Sequence, residues 1–137
     1  MPKLLVEASR QLKETDETVI LVATSGDTGK AALEGFCDVP GTRCAVFYPK
    51  DGVSRAQYLQ MATQAGKNTH VIAVEGNFDD TQTGVKRIFG DAAMAAEMKR
   101  YGRRLTSANS INYGRLVPQV AYYFSAYAVW TGIGAEP

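Results

Sequence analysis

Six consecutive residues, Ser25-Gly26-Asp27-Thr28-Gly29-Lys30, have the composition of an anion-binding turn. They follow an apolar β-branched run and open a helical one, so backbone N–H groups and the positive end of a helix dipole converge there, flanked by two hydroxyls. The loop fits neither common phosphate fingerprint. A Walker loop requires glycine where Thr24 stands and serine or threonine where Ala31 stands, and the dinucleotide motif requires a third glycine beyond Gly26 and Gly29. A purely structural role, a polar turn capped by Asp27 or Thr28, stays open on spacing alone.

A second polar knot, Ser107-Ala108-Asn109-Ser110-Ile111-Asn112-Tyr113-Gly114-Arg115, sits between two apolar stretches. Arg115 falls in an early helical turn, where a cation opposes the dipole unless an anion offsets it. Asn109, Ser110, Asn112 and Arg115 are candidate ligands for an anionic group; helix capping with a solvated arginine is the alternative. The remaining reactive residues are less promising. Asp79-Asp80 at a helix start reads as capping, and His70, the only histidine, begins an apolar run and reads as structural. Cys37 and Cys44 fit no zinc spacing, so free buried thiols, a reducing compartment and no metal site are expected.

Patterns around these loops say what must position them. Leu4, Leu5, Ala8 and Leu12 recur at helical spacing, and strands are predicted over 18–24, 43–48, 70–74 and 104–107. Helices are predicted over 31–36, over 54–65 with a Ser54/Gln57 capping box and a stop at Gly66, from Phe78 to Phe89, from Asp91 to Gly102, and from about Ile111 onward. Alternating strands and helices predict an α/β fold, an open and mainly parallel four-stranded sheet with helices on both faces, three-layered and Rossmann-like, with ligands outside the carboxyl ends of the strands. Tyr113, Tyr122, Tyr123, Phe124, Tyr127 and Trp130 crowd the last helix, as core or as an interface.

The 137 residues carry 15 basic and 14 acidic side chains, a net charge of +1, and suit one domain over 1–137. Such a balance argues against nucleic-acid and anionic-membrane partners, which need a strong positive field. Without a leader or a spanning segment, the expected location is cytoplasmic.

Four motifs in register resemble threonine synthase, a family of fold-type-II pyridoxal-phosphate enzymes: Ala23 to Ala32; Phe47-Tyr48-Pro49 with Gly52-Val53-Ser54 and Gln57; Gly76 to Asp80; and Ser107 to Asn112 with Gly114 to Gln119. The resemblance implies a lyase that converts O-phospho-L-homoserine and water into L-threonine and phosphate. It implies that Ser25, Gly26, Asp27, Thr28 and Gly29 hold the substrate α-carboxylate, and that Asp27 lies near the pyridoxal 3′-hydroxyl. The family's Phe-Lys-Asp motif with the Schiff-base lysine and its cofactor-phosphate loop are absent from these residues. The expectation is therefore the smaller domain of such an enzyme, excised, binding no cofactor alone, inactive alone, and partnered by the larger domain. The alternative is a free-standing Rossmann-like module for a phosphorylated or anionic small molecule.

Overall fold

The computed structural model describes residues 2–109 and 113–132, with the side chain of Arg115 outside the description. Its elements run α1 (Pro2–Gln11), β1 (Glu17–Ala23), α2 (Asp27–Phe36), β2 (Thr42–Pro49), α3 (Arg55–Ala62), β3 (Thr69–Val74), α4 (Phe78–Gly90), α5 (Ala92–Arg100), β4 (Arg103–Ser107) and α6 (Tyr113–Thr131). All four strands are parallel, in the order β3-β2-β1-β4. The fold class agrees with the pattern of the sequence.

Period-two alternation sorts the strand side chains into two cores. On one face Ile20, Val22, Cys44, Val46 and Tyr48 meet Ala32, Leu33 and Phe36 of α2 and Met61 of α3, with Leu5 of α1 beside them. On the other, Val19 and Leu21 meet Val85 of α4, with Phe47, Leu105 and Ile88 around them. β1 is buried on both faces, as its unbroken run of apolar residues requires.

Local capping fixes several boundaries. Ser54 and Gln57 form the reciprocal box at α3: the Gln57 N–H donates to Ser54 Oγ (3.2 Å) and the Ser54 N–H to Gln57 Oε1 (3.1 Å). Asn77 and Asp80 do the same at α4, and Asp91 accepts the N–H groups of Ala93 and Met94 at α5. Each such cap contributes about 1 kcal/mol. The helix expected over 54–65 stops at Ala62; the chain then unwinds toward Gly66, whose φ of +133° lies outside helical space. Asn68 accounts for that early exit, since its amide donates to the carbonyls of Phe36 and Thr42 and its oxygen accepts the Asp38 N–H. Tertiary hydrogen bonds there outweigh the last three helical residues expected, less than one turn.

At the amino ends of the strands, Glu17 of β1 accepts from Arg43 of β2 and from Arg103 of β4 (2.9 Å), bracing three strands. The Arg43 hydrogen bond, more than the Arg103 one, holds its carboxyl below the ordinary value of 4.5. Because the folded pKa lies below the unfolded one, this stabilisation is complete above about pH 4.5 and is lost as pH falls through the folded pKa. Glu17→Gln is therefore expected to lower the denaturant midpoint at pH 7, with the gap to the unsubstituted chain narrowing from pH 7 towards pH 3. A gap equally wide at both pH values would exclude the ionic brace.

Among the described residues no helix is long and apolar enough to cross a membrane, and no group of three metal-ligating side chains occurs. Cys37 and Cys44 are free; Cys44 is fully buried, which pushes its thiol up to about 12, whereas Cys37 is only half-buried. His70 is exposed on the edge strand β3 rather than packed in the core.

Candidate functional site

β1, β2 and β3 follow one another outward, and the chain then returns across the sheet to place β4 on the free side of β1. The connections leaving β1 and β3 therefore run to opposite faces. α2 packs on one face and α4 on the other, and the strand order reverses between β1 and β4, whose carboxyl ends mark the switch point where open parallel sheets take ligands. Both polar loops of the sequence start there.

The first loop is held by Thr24. This residue is 2% exposed, and its Oγ1 accepts the N–H of Gly26 (3.0 Å) and of Gly29 (2.9 Å), so one buried hydroxyl satisfies two donors of the turn. α2 begins at Asp27, four residues earlier than the apolar spacing suggests, because a polar first turn carries no hydrophobic period. Neither Asp27 nor Thr28 caps it. Gly26 is the N-cap, at φ +147° and with no side-chain cap, a conformation that glycine alone adopts without strain. The backbone N–H groups of Asp27 and Thr28 are thereby left unbonded among the described residues. Gly29 is needed for space, since a Cβ there would lie 2.5 Å from Thr24 Cγ2 and 2.8 Å from Val46 Cγ1. α2 can rest this closely on the sheet only without a side chain at that position.

Asp27 is held from the other side. Gln57 Nε2 donates to Asp27 Oδ1 (2.9 Å), linking the loop to the capped end of α3. Sequence reasoning placed Gln57 in a capping box and Thr24 at a strand end and assigned neither to the site; the buried hydroxyl two residues before a glycine was the one available signal.

A cleft of about 480 Å³ lies at this switch point, with Asp27 and Thr28 on one side, Asn109 and Gly114 on the other, and an apolar floor that includes Phe36 and Ala108. It brings together Asp27 and Thr28 of the first loop with Asn109 of the second. Ser110 and Asn112 lie outside the described residues, as does the Arg115 side chain, although the Arg115 backbone belongs to the first turn of α6. Chemically the cleft offers helix-start N–H donors for an anion, a carboxylate acceptor for a hydroxyl or ammonium donor, and an apolar surface for a flat or aliphatic group. No lysine lines it. Lys30, next to the loop, turns instead to Glu34 (3.0 Å) and Gln64.

Helix α6 leaves the cleft with an uncharged run from Leu116 to Trp130. Its aromatic residues are not core. Tyr113 is 81% exposed, Trp130 83% and Tyr123 77%, so the interface reading of this helix is the one that matches its packing. A helix apolar on all sides ordinarily has neighbours.

No family model matches the chain. Threonine synthase-like 1 of Homo sapiens is 46% identical over 115 residues, covering 80% of this chain and 16% of the relative. Threonine synthase of Pseudomonas aeruginosa is 44% identical over 114 residues, 83% of this chain and 23% of the relative. Among solved structures, PLP-bound threonine synthase from Brucella melitensis superposes with a TM-score of 0.80 at 36% identity, covering 98% of this chain and 27% of that one. The yeast enzyme gives 0.74 at 32% identity, over 92% of this chain and 24% of its own. The chain thus spans about a sixth to a quarter of the length of the proteins it matches. Sequence and backbone comparisons agree, and the chain belongs to the threonine synthase family, corresponding to one stretch of its longer members.

Proposed function

We propose that these residues form the smaller, substrate-gripping domain of a threonine synthase acting on O-phospho-L-homoserine. The observation carrying this reading is the meeting of Asp27, Thr28 and Asn109 at one cleft, at the topological switch point. The loop Ser25-Gly26-Asp27-Thr28-Gly29 takes the α-carboxylate, for which two unbonded helix-start N–H groups are suited. Asn109, Ser110, Asn112 and Arg115 take the substrate phosphate, an anion that offsets a cation at the start of α6.

In the whole enzyme pyridoxal phosphate supplies the electron sink. The residues here fit one side of it: the Asp27 carboxylate, lining the cleft, can accept from a ring hydroxyl. The attaching lysine and the cofactor-phosphate donors are to be sought in the larger domain, which we also propose as the cover for the exposed aromatic side of α6. In this reading the 137 residues bind and orient substrate and exclude water, and without the larger domain they do not turn it over. Cytoplasmic location is part of the same proposal.

Calorimetric titration of the chain with O-phospho-L-homoserine tests the grip, with Arg115→Ala as the informative variant. Loss of one charge-assisted contact is worth about 1.5–3 kcal/mol, so its affinity should fall roughly 10- to 100-fold. Stability should change little, since a cation at a helix start contributes at most a few tenths of a kcal/mol. A large drop in melting temperature with unchanged affinity would remove Arg115 from the site.

A further inference from the structure

We propose that Gln57 is a positioning residue of the site, acting through Asp27. The inference rests on the reading of the Ser25–Gly29 loop as a substrate grip and adds a residue from a different helix to it.

Three hydrogen bonds leave Gln57, and each sets a different part. Its backbone N–H and its Oε1 close the capping box with Ser54, which fixes where α3 starts. Its Nε2 donates to Asp27 Oδ1 at 2.9 Å, across thirty residues of sequence. The amide also fills the space beside Gly26, where any Cβ would collide with it, so the loop is in close contact with this side chain. Ser54, exposed and outside the cleft, thereby fixes one side chain that lines the cleft.

The consequence is electrostatic. Asp27 is the first residue of α2, and a carboxylate in a first turn is drawn toward that helix's own free N–H groups. There it would stand where the reading puts the α-carboxylate of the substrate and would repel it. Gln57 offers the carboxylate a competing donor on the α3 side. The helix-start donors stay open, and the second oxygen of Asp27 is held in a defined place for a donor on the ligand. Gln57 therefore governs affinity for an anionic amino acid without belonging to the groups that grip it.

Reversing the bond tests this. Gln57→Glu keeps an acceptor for the Ser54 N–H, and glutamate is a normal capping-box residue, but it places a carboxylate against Asp27. Asp27→Asn combined with it restores an amide-to-carboxylate bond with opposite polarity. Backbone amide shifts of Gly26 to Gly29 and of Asn109 are followed while the chain is titrated with O-phospho-L-homoserine. We expect Gln57→Glu to weaken the response at least tenfold, the double variant to return to within threefold of the unsubstituted chain, and all melting temperatures to stay within a few degrees. A merely structural role would move melting and affinity together. Should Gln57→Glu fail to fold, Gln57→Met, which keeps the length and lacks the donor, takes its place with the same tenfold expectation. Undiminished affinity in a folded Gln57 variant, or no recovery in the double variant, overturns the role of Gln57 while leaving the grip in place. If these amides do not respond in the unsubstituted chain, the grip itself is wrong and the role of Gln57 falls with it.

Discussion

Replacing Thr24 by valine is expected to destabilise the chain by about 1–3 kcal/mol, because it leaves the buried Gly26 N–H without an acceptor and the Gly29 N–H with only the Gly26 carbonyl (3.1 Å). The shape hardly changes. Valine matches threonine in volume, so packing against Gly29 and Val46 is kept, and the whole effect falls on the N–H groups of Gly26 and Gly29. Those donors define the turn that leads into α2, so affinity for an anionic ligand should disappear even where the variant remains folded. Denaturant unfolding and a titration with O-phospho-L-homoserine measure the two effects separately. Thr24→Ser, which keeps the hydroxyl, should retain both turn and ligand; loss of binding in that variant would show that the methyl packing, and not the hydroxyl, holds the loop.

Phe36→Ala is the second large effect. The ring is 1% exposed and lies in the core beneath α2, while its edge forms part of the cleft floor. Truncating a buried phenylalanine costs about 3–5 kcal/mol, transfer and cavity together, against a total stability of about 5–15 kcal/mol for an ordinary domain. The variant should therefore lose a large fraction of the stability of the chain and melt well below the unsubstituted protein. Circular dichroism melts measure this, and a loss below 1 kcal/mol would mean that Phe36 is not the keystone of that core. The shared position also ties stability to function, since the side chain that anchors α2 to the sheet shapes the surface on which a ligand would rest.

Much of this protein was legible in its residues. β1 follows from its β-branched run, β2 and β3 from apolar runs of strand pattern and β4 from a weaker one, and their parallel direction follows from alternation with helices, because a crossover helix is the compact way to bring the next strand in parallel. The Ser54/Gln57 capping box was legible because it is a contact between residues three apart, closed by local geometry alone, and the capping role of Asp79-Asp80 is made specific by the structure as a box between Asn77 and Asp80. Both polar loops could be named for the same reason, each being a continuous segment between apolar runs.

What the linear order could not give is whatever depends on residues far apart in the chain. Asp27 and Asn109 face one cleft only because β4 returns to the side of β1, and no local pattern encodes that return. Gln57 reads as a cap until the fold places Asp27 2.9 Å from its amide. α3 ends early because Asn68 binds the carbonyls of Phe36 and Thr42, a competition invisible to helix periodicity. The aromatic residues of α6 have the composition of a core, and only the packing shows them facing outward. Sequence by itself determined the elements, their caps and the chemistry available in each loop, since these rest on backbone preferences and near-neighbour contacts. Tertiary structure decided which loops meet and which apolar surface stays uncovered, because side-chain burial and long-range hydrogen bonds are properties of the packed chain.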